Sequence, residues 1–313
     1  ALFLTIQDVL TRWKRMSGFN TLWLPGVDHA GIATQMVVER ELAKEGTNRH
    51  KLGRKVFLER VWSWKEKHGG MITNQMKVLG ASVDWERERF TMDEGLSKAV
   101  REVFVQLYRQ GLIYRDKRLV NWDCKLKTAI SDLEVEQKET AGNYYYIQYP
   151  LEDGKDTITV ATTRPETLFG DVAVAVHPED PRYLHLKDAR LHLPLTNRSI
   201  PLIRDSFVDP QFGTGAVKIT PAHDPNDYPV AERAGLPLIS VFSKEGKLNE
   251  ETGSFAGLTI EEGRQRVLTA LEKEGYLVKK EPHRLRVALS YRSKARIEPM
   301  VSCQWFLKMT PFK

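Results

Sequence analysis

An α/β domain interrupted by an inserted β-rich α+β domain is the fold the sequence predicts, on three observations. The N-terminal part alternates helical periodicity with a short apolar run and a Gly- and Pro-bearing loop, the order helix–strand–loop–helix of a doubly wound sheet. Near Gly142 the pattern changes to β-branched and aromatic runs of strand length. After Glu281 short strands lead back out. The implied divisions are 1–142, 143–281 and a return segment 282–313.

Thr5 begins the first helix, with Ile6, Val9, Leu10 and Trp13 on one face, Lys14 and Arg15 near its C-terminal end and Gly18 as its stop. Thr21-Leu-Trp-Leu24 reads as a short buried strand, and Pro25-Gly-Val-Asp-His-Ala-Gly31 as the loop beyond it. A second helix is expected over 31–44, ended by Gly46, and others over 51–68, 71–79 and 93–110, the last stopped by Gly111. Strand character follows at 112–115 and 118–122. Tyr144–Pro150 and Thr157–Ala161 flank Asp153-Gly154 as a hairpin. Strands are expected at 171–176, 190–193, 199–203, 215–220 and 237–242, with helices over 225–234 and 260–274 that end in Gly235 and Gly275. Strands at 284–289 and 301–306 complete the pattern.

The 313 residues, 41% hydrophobic and 28% charged, suit a soluble protein with room for two domains. No apolar run approaches the roughly 18 residues of a membrane span, so no membrane partner is expected. The opening lacks a basic leader and an initiator Met and enters abruptly in a helical pattern, which fits a piece of a longer chain. Two isolated cysteines, Cys124 and Cys303, exclude a disulfide scaffold and argue against a four-ligand zinc site; a reducing cytoplasm is the expected location. The net charge of +6 and pI near 9.1 favour an anionic partner such as nucleic acid, but the scattered Lys and Arg suit a solvated surface equally well.

Two stretches concentrate polar chemistry: Ala161-Thr-Thr-Arg-Pro-Glu-Thr-Leu168 and Gly213-Thr-Gly-Ala-Val-Lys-Ile-Thr-Pro-Ala-His-Asp-Pro-Asn-Asp-Tyr228. Each begins as a strand and ends in a Pro-interrupted turn, so each carries polar side chains to a strand tip. Lys218 and Thr220 alternate on one face, as do Thr162 and Arg164; the competing reading is an ordinary half-exposed strand face. Asp224, before Pro225, suits a helix N-cap, whereas Asp227 lies one turn in and is freer for function. Asp28, at a strand end between Gly26 and Gly31, can pair with a ligand ammonium; local physics alone favours a turn-forming Asp. No GxGxxG, GxxxxGK[ST], HExxH or GxSxG sequence occurs, and no metal site is expected.

Trp23-Leu-Pro-Gly-Val-Asp-His-Ala-Gly-Ile-Ala-Thr-Gln35, Gly80-Ala-Ser-Val-Asp-Trp85, Thr128-Ala-Ile-Ser-Asp132, Thr162–Thr167 and Gly213–Tyr228 together resemble the valyl-tRNA synthetases, over essentially the whole chain. The isoleucyl and leucyl enzymes share the architecture, but the pairing of PGVDHAG with KITPAHDPNDY is most similar to the valyl group. The resemblance implies a class I synthetase: part of a Rossmann-like catalytic domain, interrupted by the connective insert that hydrolyses misacylated tRNA. It implies ATP with Mg²⁺ for charging tRNA with valine in the full enzyme, a monomer, and no cofactor for editing. Neither the HIGH-type nor the KMSKS motif is present, so valine activation is not expected from this stretch alone. Asp28 matches the residue that binds the α-ammonium of valine. Arg164, Thr167, Lys218, Thr220, Asp224 and Asp227 match the editing pocket.

An apolar pocket rejects threonine, the isostere of valine, only about a hundredfold, a figure whose source is this enzyme family itself. A polar second site solves the problem by hydrolysis. The expected roles are these: Asp227 holds the substrate ammonium and places water, while Thr167, Thr220 and Asp224 satisfy the threonyl hydroxyl. Lys218 and Arg164 orient the ester carbonyl or the terminal adenosine. The alternatives are an isoleucyl-type editor and a tRNA-binding remnant without turnover.

Overall fold

The structure, a computed structural model, describes residues 1–312, which form two compact units: Ala1–Tyr114 with the segment from Leu307 onward, and Arg115–Phe306.

The first unit is mainly helical: α1 (Leu2–Met16), α2 (Gly31–Lys44), α3 (Arg49–His68), α4 (Met71–Val78) and α5 (Glu94–Arg109). The helix ends follow local chemistry. Gly18 is left-handed at φ +85° and lets Phe19 N–H reach back to Lys14 O, closing α1. Asn48 and Asp93 cap α3 and α5 by accepting amides of their first turns. α3 starts earlier than the expected 51 and is kinked at Gly53, φ +75°. Val38 and Leu42 of α2 pack on Phe57 of α3. Along α1 the expected apolar face forms, but Ile6, Val9, Leu10 and Trp13 each remain more than half exposed.

The buried strand expected at 21–24 does not form, and Leu22 and Leu24 are exposed. A strand exists only where its backbone finds a ladder partner. Here that is the two-residue β1 (Gly26–Val27), parallel to β2 (Arg89–Phe90). Asp28 follows directly, at the carboxyl end of β1.

The second unit is built on three sheets. β3 (Ile113–Asp123) lies between β4 (Thr128–Ile130) and β12 (Ile297–Leu307) in the first. The second places β5 (Val135–Pro150) between β6 (Thr157–Thr162) and β11 (Leu277–Ser290), all antiparallel. The third, with β7 (Ala173–Val176), β8 (Arg190–His192), β9 (Ser199–Arg204) and β10 (Ala216–Ile219), has the order β10-β7-β9-β8. Two helices, α6 (Asp227–Ala234) and α7 (Ile260–Lys273), complete it. The core gathers the inward residues of these sheets, among them Ile147, Tyr149, Val160, Val174, Val176 and Leu191, with Leu271 of α7. α7 opens with a capping box between Thr259 and Glu262.

The strand expected at 237–242 is reduced to a single bridge between Phe242 and Leu248. Pro237 has no N–H to give a ladder, and the Val241 amide is taken by a histidine ring instead. The divisions expected at 142/143 and 281/282 fall within β5 and β11, where Gly142 pairs with His283 and Asn143 with Pro282. The chain therefore enters and leaves the β-rich region along one two-stranded ribbon.

Candidate active site

β6 ends at Thr162 and turns into a 3₁₀ segment, Pro165–Gly170; β10 ends at Ile219 and turns through Pro221 into α6. The two tips face a cavity of about 210 Å³. Arg164, Thr167, Lys218, Thr220, Asp224 and Asp227 all line it, with Tyr144, Thr162, Thr163 and His223. Because β6 stops at Thr162, Arg164 does not continue its alternation; instead the Arg164 amide donates to Thr162 Oγ1.

Lys218 is buried and donates to Thr167 Oγ1 at 3.0 Å, to Asp171 Oδ1 at 2.8 Å and to Thr220 Oγ1. Those three bonds account for all three ammonium protons, so Lys218 has none left for a ligand. The hydroxyl protons are placed as well: Thr167 donates to Arg164 O at 2.9 Å and Thr220 to Asp171 Oδ1 at 2.6 Å. Each hydroxyl has thus given its proton and received one from Lys218. What each has left is acceptor capacity, and both residues line the cavity. Asp171 is fully buried and also receives the Tyr149 hydroxyl at 2.7 Å, which pushes the Tyr149 phenol well up through burial and the adjacent carboxylate.

Asp227 stands at the first residue of α6, not one turn in, and its Oδ2 accepts the Thr220 amide at 2.7 Å. Burial, with Asp224 nearby, pushes its carboxyl up to about 7, against the pull of the Thr220 amide and Lys218. Asp224 is not the helix N-cap. Asn226 holds that position without a side-chain bond, and Asp224 Oδ1 accepts the Asn226 amide at 2.8 Å in the turn before it. His223 accepts the Val241 amide at Nε2, 2.8 Å, so its proton sits on Nδ1 and points to Pro299 O at 3.2 Å. Burial and then Arg164 hold this ring down to about 3, and it is neutral. Both ring nitrogens are thus taken up by backbone groups.

Arg164 meets Glu166 Oε1 at 3.4 Å, His223 O at 3.1 Å and Glu298. Burial pulls its guanidinium down, but Glu298 and Glu166 more than offset this and leave it above its ordinary value. Glu166, also fully buried, is gripped by Arg264 through two bonds of 2.8 and 2.7 Å.

Asp28 lies in the other unit. It is 72% exposed and within 3.3 Å of Thr91 Oγ1 and His29 Nδ1, so it neither joins the cavity residues nor closes an Asx turn on its own backbone. Sequence reasoning missed Asp171, Tyr149 and Glu298. For Asp171 a signal was present: one carboxylate heading an otherwise apolar run, Val172–Val176. Among the described residues no group of three His, Cys, Asp or Glu side chains comes together to hold a metal ion. Nor is any helix among them long and apolar enough to cross a membrane.

A mixed α/β framework carries a polar cavity between two strand tips of its β-rich unit. The chain belongs to the family of class I tRNA synthetases (I, L, M and V), whose family model matches residues 1–313. Among its curated relatives are valine–tRNA ligases. It is 57% identical over 309 residues to that of Bdellovibrio bacteriovorus, covering 99% of this chain and 35% of that protein. It is 58% identical over 311 residues to that of Carboxydothermus hydrogenoformans, with the same coverage of 99% and 35%. The chain thus spans about a third of the length of the relatives it matches.

Proposed function

We propose that this chain is part of a valine–tRNA ligase whose β-rich region, 143–281, hydrolyses tRNA mischarged with threonine. One observation carries the reading: the six residues that match the editing pocket by resemblance, drawn from two strand tips, line one small cavity. Their donor and acceptor pattern fits the task. Thr167 and Thr220 can only accept further bonds, so a substrate hydroxyl donates to them, and a valyl methyl leaves those acceptors unpaired. Asp227 has one oxygen on the Thr220 amide, and the other takes the substrate ammonium, whose charge lowers its raised pKa and restores the carboxylate. That carboxylate also holds the attacking water. Asp224 lies at the rim to meet the hydroxyl or ammonium. Lys218 works indirectly, by orienting both threonine hydroxyls rather than touching the ester. Arg164 keeps donors for the terminal adenosine.

For the whole protein the reading extends to ATP- and Mg²⁺-dependent charging of tRNA with valine, with Asp28 on the valine ammonium, in a cytoplasmic monomer. An aminoacyl ester is already activated, so its hydrolysis needs no nucleotide and no metal. The test is to supply valine-accepting tRNA carrying threonine or valine and to follow release of the amino acid. Threonine should leave about a hundredfold faster or more. Equal rates for the two esters would sink the reading.

A further inference from the structure

Arg164 has five N–H donors, and three are engaged: Nε with Glu166, one at Nη1 with His223 O, and one at Nη2 with Glu298. The other two have no protein partner among the described residues, and Arg164 lines the cavity. The two carboxylates that hold it are not equivalent. Glu166 gives both oxygens to Arg264 and leaves Arg164 a contact of 3.4 Å. Glu298, on β12, has a side chain only 2% exposed and bonds Arg164 through Oε2. Its Oε1 accepts no hydrogen bond, although Arg296 Nε lies 3.1 Å away. Oε1 is therefore paired by charge with Arg296, while Oε2 holds the Arg164 guanidinium in place.

We infer that Glu298 is a positioning residue for ester hydrolysis: it fixes Arg164 so that the two remaining donors of its guanidinium meet the RNA end of the substrate. The inference rests on the proposed hydrolytic function and adds a residue outside 143–281, on the strand that leaves the β-rich region. Glu298 touches no substrate. It acts by denying Arg164 its other rotamers, so its effect belongs in substrate binding rather than in the chemical step.

The experiment is a double-mutant cycle on the intact chain with threonyl-tRNA as substrate, each variant checked by thermal unfolding. Glu298→Gln keeps the shape and removes the charge; it should raise KM about tenfold with kcat little changed. In an Arg164→Met background the same Glu298→Gln change should cost nothing further. Glu298→Asp, which retains the charge, should recover part of the loss and serves if the Gln variant does not fold. An additive loss in the two backgrounds, a fall confined to kcat, or an unchanged KM in Glu298→Gln would overturn the inference while wild-type hydrolysis left the proposed function standing. A wild-type chain that released no threonine would overturn both.

Discussion

The two units carry the same kind of sequence signal and bury it differently. In the first unit the apolar stripe of α1 is formed as its periodicity demands, yet α1 contains no buried residue. In the second, residues such as Ile147, Tyr149, Val160 and Leu191 are completely covered. The two sites differ in the same way. Asp28 is an exposed carboxylate with two 3.3 Å neighbours, whereas Lys218, Thr220 and Asp227 are buried and bonded to one another or to Asp171. Periodicity says which face wants cover, and only packing says whether a polar residue becomes part of a site. The contrast can be measured.

The largest effect should come from breaking the buried pair under the cavity. Asp171→Ala removes the carboxylate bonded to the buried Lys218 ammonium and should lower unfolding stability by about 3–5 kcal/mol. Ile6→Ala, on the uncovered face of α1, should stay within about 0.5 kcal/mol. Chemical denaturation of the two variants checks both, and comparable losses would mean that α1 is covered in solution. Next is catalysis: Asp227→Ala should slow threonyl-ester hydrolysis by about a hundredfold or more, read as release of threonine from tRNA. A wild-type rate in that variant would remove Asp227 from the mechanism.

What was legible in the sequence was what is local. α2 begins and ends where its pattern said, and Gly18, Gly46, Gly111, Gly235 and Gly275 all adopt the left-handed geometry expected of helix stops. The strands at 21–24 and 237–242 were not legible, because their fate depended on ladder partners and on a histidine that takes the Val241 amide. By type and spacing the cavity residues were legible only as polar strand tips, and the resemblance singled out the pocket among them. Their charge partners were not, since Asp171 lies 47 residues from Lys218 and Glu298 lies 134 from Arg164.

His223 offers a pH handle on the β-rich unit alone. Its ring is held down to about 3 in the fold, against about 6.5 in the unfolded chain. Above pH 6.5 neither state binds the proton and the ring adds no slope. Below it the unfolded chain takes a proton that the fold refuses, so stability is lost as pH falls, at up to about 1.4 kcal/mol per pH unit down to pH 3. His223→Gln should flatten unfolding stability between pH 6 and 4 relative to wild type. An unchanged slope would show that the ring reaches solvent.

Asp227 should act in the opposite direction, because burial and Asp224 outweigh the support that Thr220 and Lys218 give its charge. Its folded value near 7 exceeds the unfolded value of 3.8. Its contribution is therefore complete below pH 3.8 and is lost as pH rises through 7, where the fold must carry a buried anion beside Asp224. Asparagine keeps an oxygen for the Thr220 amide but cannot ionise. At pH 8 Asp227→Asn should thus be more stable than wild type by up to about 4 kcal/mol, yet inactive in hydrolysis, with the stability gain vanishing by pH 4. Thermal unfolding at the two pH values decides it: a variant less stable at pH 8 would mean that the Asp227 carboxylate is a net structural bond. The contrast between the units is then one of burial: removing the buried charge at Asp227 should raise stability and abolish hydrolysis, a test that the exposed Asp28 does not offer.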